Sequence, residues 1–252
     1  MPHLFVNRPR LHDLVSQSPS LHDQFRWETI NAVLYQLGGL IFVAGSILFF
    51  PSMEAYADLG AWLFIVGSLV YLVVTGHDLV EVRRHARNRR GSPTIWEKLE
   101  AVAAIVYVVG TVLFTIGSIF FLSAVGLYAA GAWCFIIGSL LFLLGATINV
   151  LQIVQADDKL TLQLMNLTAL TFVTGSFLFT VASIPYLWYV QTPYDRETIN
   201  AFLAWQYVVG SFLFLLGGIF NYWRAWNVVR QAIAVMRRTG AVQGGDIGAD
   251  ET

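Results

Sequence analysis

GAWLFIVGSL occupies Gly60–Leu69, GAWCFIIGSL occupies Gly131–Leu140, and LAWQYVVGSF occupies Leu203–Phe212. In each, a tryptophan (Trp62, Trp133, Trp205) stands five residues before a Gly-Ser pair. A second triplet precedes them: GGLIFVAGSILFF from Gly38, GTVLFTIGSIFFL from Gly110 and GSFLFTVASIPYL from Gly175. The chain therefore writes one unit three times, each copy an apolar stretch, a connector and a second apolar stretch.

Each stretch is long enough to span a bilayer. The apolar runs lie at about 30–50, 59–80, 101–125, 127–154, 164–190 and 201–220, and roughly 20 helical residues cross the hydrocarbon. They are apolar on every side rather than alternating, which excludes a transmembrane β-barrel. The composition agrees: 56% hydrophobic and 12% charged, against about 25% charged in a soluble domain. The expected fold is an all-α membrane protein of six transmembrane helices, arranged as three repeated hairpins. Ala55-Tyr56-Ala57 has the look of a signal-peptide cleavage site, but the long polar segment before the first span argues for retention.

Charge gives orientation. Of the 15 lysines and arginines, only Arg196 falls in the connectors Pro51–Asp58, Ser123–Gly126 and Gln191–Asn200. The other basic residues lie before the first span, between spans two and three, between four and five, or after six, so both termini are expected in the cytoplasm and the protein in the inner membrane. The densest run, RRHARNRR at 83–90, marks Arg83, Arg84, Arg87, Arg89 and Arg90 as headgroup contacts or as a plain topology anchor. A net charge of -1 offers no general attraction for nucleic acid. Lipid is the expected partner, with a homo-oligomer or a membrane complex beside it.

Small residues recur at sevens: Gly38 and Gly45, Gly110 and Gly117, Gly175 and Ala182, Gly60 and Gly67, Gly131, Gly138 and Gly145, Gly210 and Gly217. A seven-residue period keeps one helix face toward a partner. In lipid, where apolar surface alone drives nothing together, the close approach allowed by glycine favours association. Because every copy returns to the same side, the hairpins can close about an axis along the membrane normal or lie in a row.

The hairpin with a Trp-x-x-x-x-Gly-Ser second helix resembles the YrhK-like domain family. Trp27 to Arg83 carries the pattern best, and residues 100–155 and 165–227 look like diverged copies, the third departing at Ala182, at Pro185 and in its longer connector. The resemblance implies a two-helix membrane module. It brings no catalytic residue to carry over.

Sixteen residues beyond the repeated tryptophans stand Asp78, Asn149 and Asn221. If the hairpins close, these form a polar ring, with His77 beside it, that could take a cation or relay a proton. Equally, the position lies close enough to a helix end to reach headgroups and water. Gln36 and Gln206 read as interhelical contacts, and Cys134 as packing. No acid pair, nucleotide loop or haem-ligand set is legible, so no catalytic residue, cofactor or metal is assigned. His12, Asp13, His22 and Asp23 read as an interfacial arm rather than a metal site.

The chain divides into an arm (1–28), hairpin one with its basic loop (29–90), hairpin two (97–156), hairpin three with an extended helix (162–239) and a disordered tail (240–252). Pro185 is expected to kink the fifth span. The expected role is a structural or accessory membrane subunit, contacting partners through glycine faces or through outward aromatics such as Phe49, Phe120 and Phe142. A channel or small-solute transporter using the polar ring, and a lipid-organising protein, are the alternatives.

Overall fold

The computed structural model describes residues 21–88, 91–151, 159–188 and 192–238, with side chains within 26–231. Its six long helices are α1 (Leu21–Ile47), α2 (Ala57–Asn88), α3 (Ile95–Phe120), α4 (Tyr128–Leu151), α5 (Lys159–Ser183) and α6 (Pro193–Arg238). All six are long and apolar enough to cross a membrane. At 1.5 Å per residue, the 46 residues of α6 run about 69 Å, well past one hydrocarbon thickness.

Each helix packs against the next, and α6 returns against α1, so the three hairpins form a closed ring rather than a row. Successive helices run antiparallel, which brings the start of α1 and the end of α6 to one end of the bundle. Thr29 and Tyr222 share a 3.3 Å hydrogen bond there. Farther along the same seam, the hydroxyls of Ser46 and Ser211 lie 3.1 Å apart. At the connector end every pair of hairpins is tied. Asp58 accepts hydrogen bonds from Ser123 N–H and Oγ at 2.8 and 2.5 Å, joining hairpins one and two. Phe121 meets Tyr186 at 4.9 Å, joining two and three, and Phe50 meets Trp205 edge-on at 5.2 Å, joining one and three.

Within each hairpin, glycine faces glycine. A Cβ placed on Gly67 would lie 3.4 Å from the Gly38 carbonyl, one on Gly138 3.1 Å from Gly110, and one on Gly175 3.1 Å from Gly210. The space left by each missing side chain is filled by an aromatic ring from the partner helix: Tyr71 on Gly38, Phe64 on Gly45, Phe142 on Gly110, Phe135 on Gly117, Phe114 on Gly138, Phe214 on Gly175 and Phe179 on Gly210. These rings themselves recur at sevens. Ring and glycine therefore interlock, and the contact area so gained replaces the hydrophobic drive that lipid does not supply.

The serine after each glycine, or after Ala182 in the third copy, lies on the inner face: Ser46, Ser68, Ser118, Ser139, Ser183 and Ser211 are all buried. Ser118 returns its hydroxyl to the Phe114 carbonyl at 2.7 Å, a bond within its own helix. The tryptophan five residues earlier is turned about 140° from the glycine, at 100° per residue, onto the outer surface. Trp62, Trp133 and Trp205 are accordingly exposed. Packing thus explains the recurring ten residues: an outward tryptophan, an inward glycine seat and a buried serine.

Two expectations change. Pro185 does not kink a continuing helix, because α5 stops at Ser183 and Pro185 opens a 3-10 turn, Ile184–Leu187. Phe142 is not an outward aromatic; it is only 3% exposed, on the axis, and Phe49 packs against the same core, because both belong to the inward seven-residue register. Gly126, at φ +65°, supplies the left-handed turn between α3 and α4, where a side chain would be strained.

Candidate functional site: the polar end of an aromatic axis

The axis begins, near the connectors, as a triangle. Phe64, Phe135 and Tyr207 come from equivalent positions of α2, α4 and α6, and their ring centroids are 6.1, 6.2 and 6.4 Å apart. Around it, each hairpin repeats one cluster. Phe42 sits 5.0 Å from Phe64 and 5.1 Å from Tyr71; Phe114 sits 5.0 Å from both Phe135 and Phe142; Phe179 sits 5.1 Å from Tyr207 and 5.3 Å from Phe214. A void beside these rings, lined by Phe42, Tyr71, Phe114, Phe142, Phe179 and Phe214, has room for about one water. A three-fold pseudosymmetric plug of aromatic rings therefore fills the centre.

The same register then turns polar. Seven residues beyond Tyr71, Phe142 and Phe214 come Asp78, Asn149 and Asn221, so they too point inward. All three are buried, with at most 5% exposed, so their polarity is not spent on headgroups or water at a helix end. Asn149 Nδ2 donates to the Tyr107 hydroxyl at 2.7 Å, and Arg224 Nε donates to Asn221 Oδ1 at 3.3 Å. The His77 ring lies against Trp27, centroids 3.7 Å apart and planes tilted by 31°.

Sequence reasoning misses three charged members of this layer. Glu81, Glu100 and Arg224 are buried with Asp78, and none of the four is without a partner. Glu100 carries a signal, since it stands seven residues before Tyr107 on the inward register. Arg224 carries another, as it lies one turn beyond Asn221. Buried charges of both signs cost desolvation and are retained only where geometry and hydrogen bonds offset it. No group of three or more His, Cys, Asp or Glu with metal-binding geometry is present among the described residues.

The first hairpin breaks the symmetry. Gly145 and Gly217 seat Tyr107 and Phe172, but the equivalent position in α2 is Val74. Tyr35 instead lies on Gly218 of α6 and stacks on Tyr71, centroids 4.4 Å apart and planes within 9°. The polar layer thus differs in each hairpin: a carboxylate under stacked tyrosines, an amide on a tyrosine, and an amide on an arginine.

The remaining sequence candidates lie elsewhere. Arg83 and Arg87 are exposed on the run of α2 beyond the core and Arg84 is partly so, while Arg89 and Arg90 fall outside the described residues, as do His12 and Asp13. His85 pairs with Glu97 at 3.9 Å, where Glu97 also closes a capping box with Thr94 at the start of α3. Gln206 is buried, with its carbonyl oxygen unpartnered among the described residues. Gln36 is partly exposed.

The model of the family described as YrhK-like protein matches twice, at residues 25–82 and 97–154. The first two hairpins belong to the YrhK-like family. Each match runs from near the start of an odd helix through the connector and along the even helix, the second passing the end of α4 at Leu151. The third hairpin lies outside both matches, yet it places Gly175 against Gly210, Phe179 beside Phe214 and Asn221 on the axis as the YrhK-like units do. It departs where Ala182 and Leu203 replace the glycine pairs Gly45/Gly60 and Gly117/Gly131. No curated protein and no solved structure is found to match the chain.

Asn149→Ala would leave the Tyr107 hydroxyl buried without its amide. The expected cost is about 1–3 kcal/mol, as for other enclosed polar groups that lose a partner. Thermal unfolding in detergent checks this, and Tyr107→Phe in the Asn149→Ala background is expected to recover part of the loss.

Proposed function

We propose that the chain is a non-conducting, multi-pass structural or accessory subunit of the cytoplasmic membrane, with both termini on the cytoplasmic face. The observation that carries the reading is the axis, where rings from all six helices close the line along which a pore would run. The polar layer supports it as well: buried Asn149 holds the Tyr107 hydroxyl and buried Arg224 holds Asn221, contacts that suit a device keeping its hairpins in register.

Orientation rests on the two ends. Arg26, Arg83, Arg84, Arg87, Lys98, Lys159, Arg224 and Arg230 lie toward the end where α1 starts and α6 finishes, and Glu54, Asp58, Asp195 and Glu197 lie toward the connectors beside Arg196. That asymmetry favours the termini inside. Trp62, Trp133 and Trp205 then supply an outward aromatic belt near the far leaflet surface, available to lipid headgroups or to a membrane partner.

Reconstitution tests the reading. Vesicles holding the full chain are expected to leak potassium, sodium and protons no faster than vesicles without protein. Flux above that background, abolished by Asp78→Asn or Asn149→Leu, would replace the structural reading with a conducting one.

A further inference from the structure

Gly76 is unlike the ring-seating glycines of the helices. A Cβ added at Gly38, Gly110, Gly175 or Gly210 meets an aromatic ring at 2.4–2.9 Å, whereas one added at Gly76 meets nothing within 4 Å. It sits in the apolar part of α2, where glycine costs up to about 1 kcal/mol against alanine and no packing inside the molecule explains it. The notch it leaves opens on the outer surface.

From this notch and the charge beside it we infer that Gly76 and Arg83 form a seat for one anionic phospholipid. Helical spacing puts Leu72, Gly76, Leu79 and Arg83 on one stripe of α2, and the first three are each partly exposed. Arg83 stands seven residues, about 10 Å, beyond the notch toward the terminal end. That is the spacing from upper acyl chain to phosphate. His85 against Glu97 fixes the level of α3, so Lys98 lies within a turn of Arg83 in height. The side chains of Arg83 and Lys98 enter no ion pair or hydrogen bond among the described residues. An acyl chain fits the width of one missing side chain, and a phosphate fits the two cations.

A transmembrane helix of another protein fits less well. Close helix approach uses small residues a turn apart, whereas Leu72, Leu79 and Val80 are the neighbours here. The seat rests on the membrane placement proposed above but not on the absence of conduction, so a positive flux result leaves it standing.

Native mass spectrometry of the full chain, released from nanodiscs of mixed phosphatidylglycerol and phosphatidylcholine, tests the seat. The unaltered chain is expected to keep one phosphatidylglycerol. Gly76→Leu fills the notch and is expected to cut that adduct about tenfold or more. Arg83→Gln is expected to weaken it about fivefold. Because nothing packs on Gly76 and leucine is the better helix former, the thermal midpoint of Gly76→Leu should equal or slightly exceed that of the unaltered chain, so a lost adduct cannot be put down to unfolding. Equal retention by Gly76→Leu, or no preference for phosphatidylglycerol over phosphatidylcholine, would overturn the inference. Loss of a bound protein rather than a lipid on Gly76→Leu would overturn it in favour of a helix partner.

Discussion

Gly110→Leu is expected to destabilise the bundle by about 3 kcal/mol or more, the upper end for overfilling a close-packed interior. Already at its Cβ the new side chain would lie 2.7 Å from the Phe142 ring and 3.0 Å from the Gly138 carbonyl oxygen. The ring has nowhere to go, since Phe114 holds it at 5.0 Å, and the carbonyl is backbone in the next helix. Relief requires moving α4 as a body. For a chain of this size the loss corresponds to a fall in thermal midpoint of roughly 6–12 °C, read in mild detergent. Gly76→Leu, adding the same side chain where no atom stands within 4 Å, is the matched control and should leave the midpoint level or slightly raised. Equal falls in the two variants would mean that leucine harms these helices for a reason other than the ring seats.

Phe179→Ala is expected to cost about 3–5 kcal/mol, as for other enclosed phenylalanines cut to alanine. Its ring touches four others, at 5.6 Å from Phe114, 6.3 Å from Phe64, 5.1 Å from Tyr207 and 5.3 Å from Phe214. It also fills the seat of Gly210. Removal therefore loosens all three hairpins together. The resulting cavity is lined by hydrocarbon, so it should stay dry and accept benzene or xenon, with partial recovery of the thermal midpoint as the readout. Phe177, two residues away and 56% exposed, provides the comparison. Its alanine variant should shift stability by no more than about 0.5 kcal/mol.

The glycines make the hairpins legible in the sequence alone, because a missing side chain at a fixed period is visible even in a uniformly apolar helix. The rings that fill those gaps are just as periodic, at Phe42 and Phe49, Phe114 and Phe121, Phe64 and Tyr71, yet their direction is not legible in the same way. In a membrane helix both faces are apolar, so the contrast that separates core from surface in a soluble helix is absent. That is why an outward Phe142 is the wrong expectation, although Asn149, in its own register, hints at an inward face. Glu81, Glu100 and Arg224 escape sequence reasoning for a related reason. They lie just past the most apolar windows, where a charged residue ordinarily faces water, and only the length of α2 and α6 and the ring closure carry the core that far. Closure itself is undecidable from sequence. Three parallel copies of one hairpin fit a ring or a row, and the choice rests on whether the first and last surfaces match.

That match is the central claim, and one pair of positions tests it most directly. Ser46 of the first hairpin and Ser211 of the third lie 165 residues apart in sequence and 3.1 Å apart at their hydroxyls. With Cys134 replaced by serine, a chain carrying Ser46→Cys and Ser211→Cys, and a protease site inserted between α4 and α5, can be oxidised in native membranes and then cleaved. The ring predicts that the two fragments stay joined until a reductant is added. Fragments that separate without reductant, as a row of hairpins requires, would contradict the closed bundle.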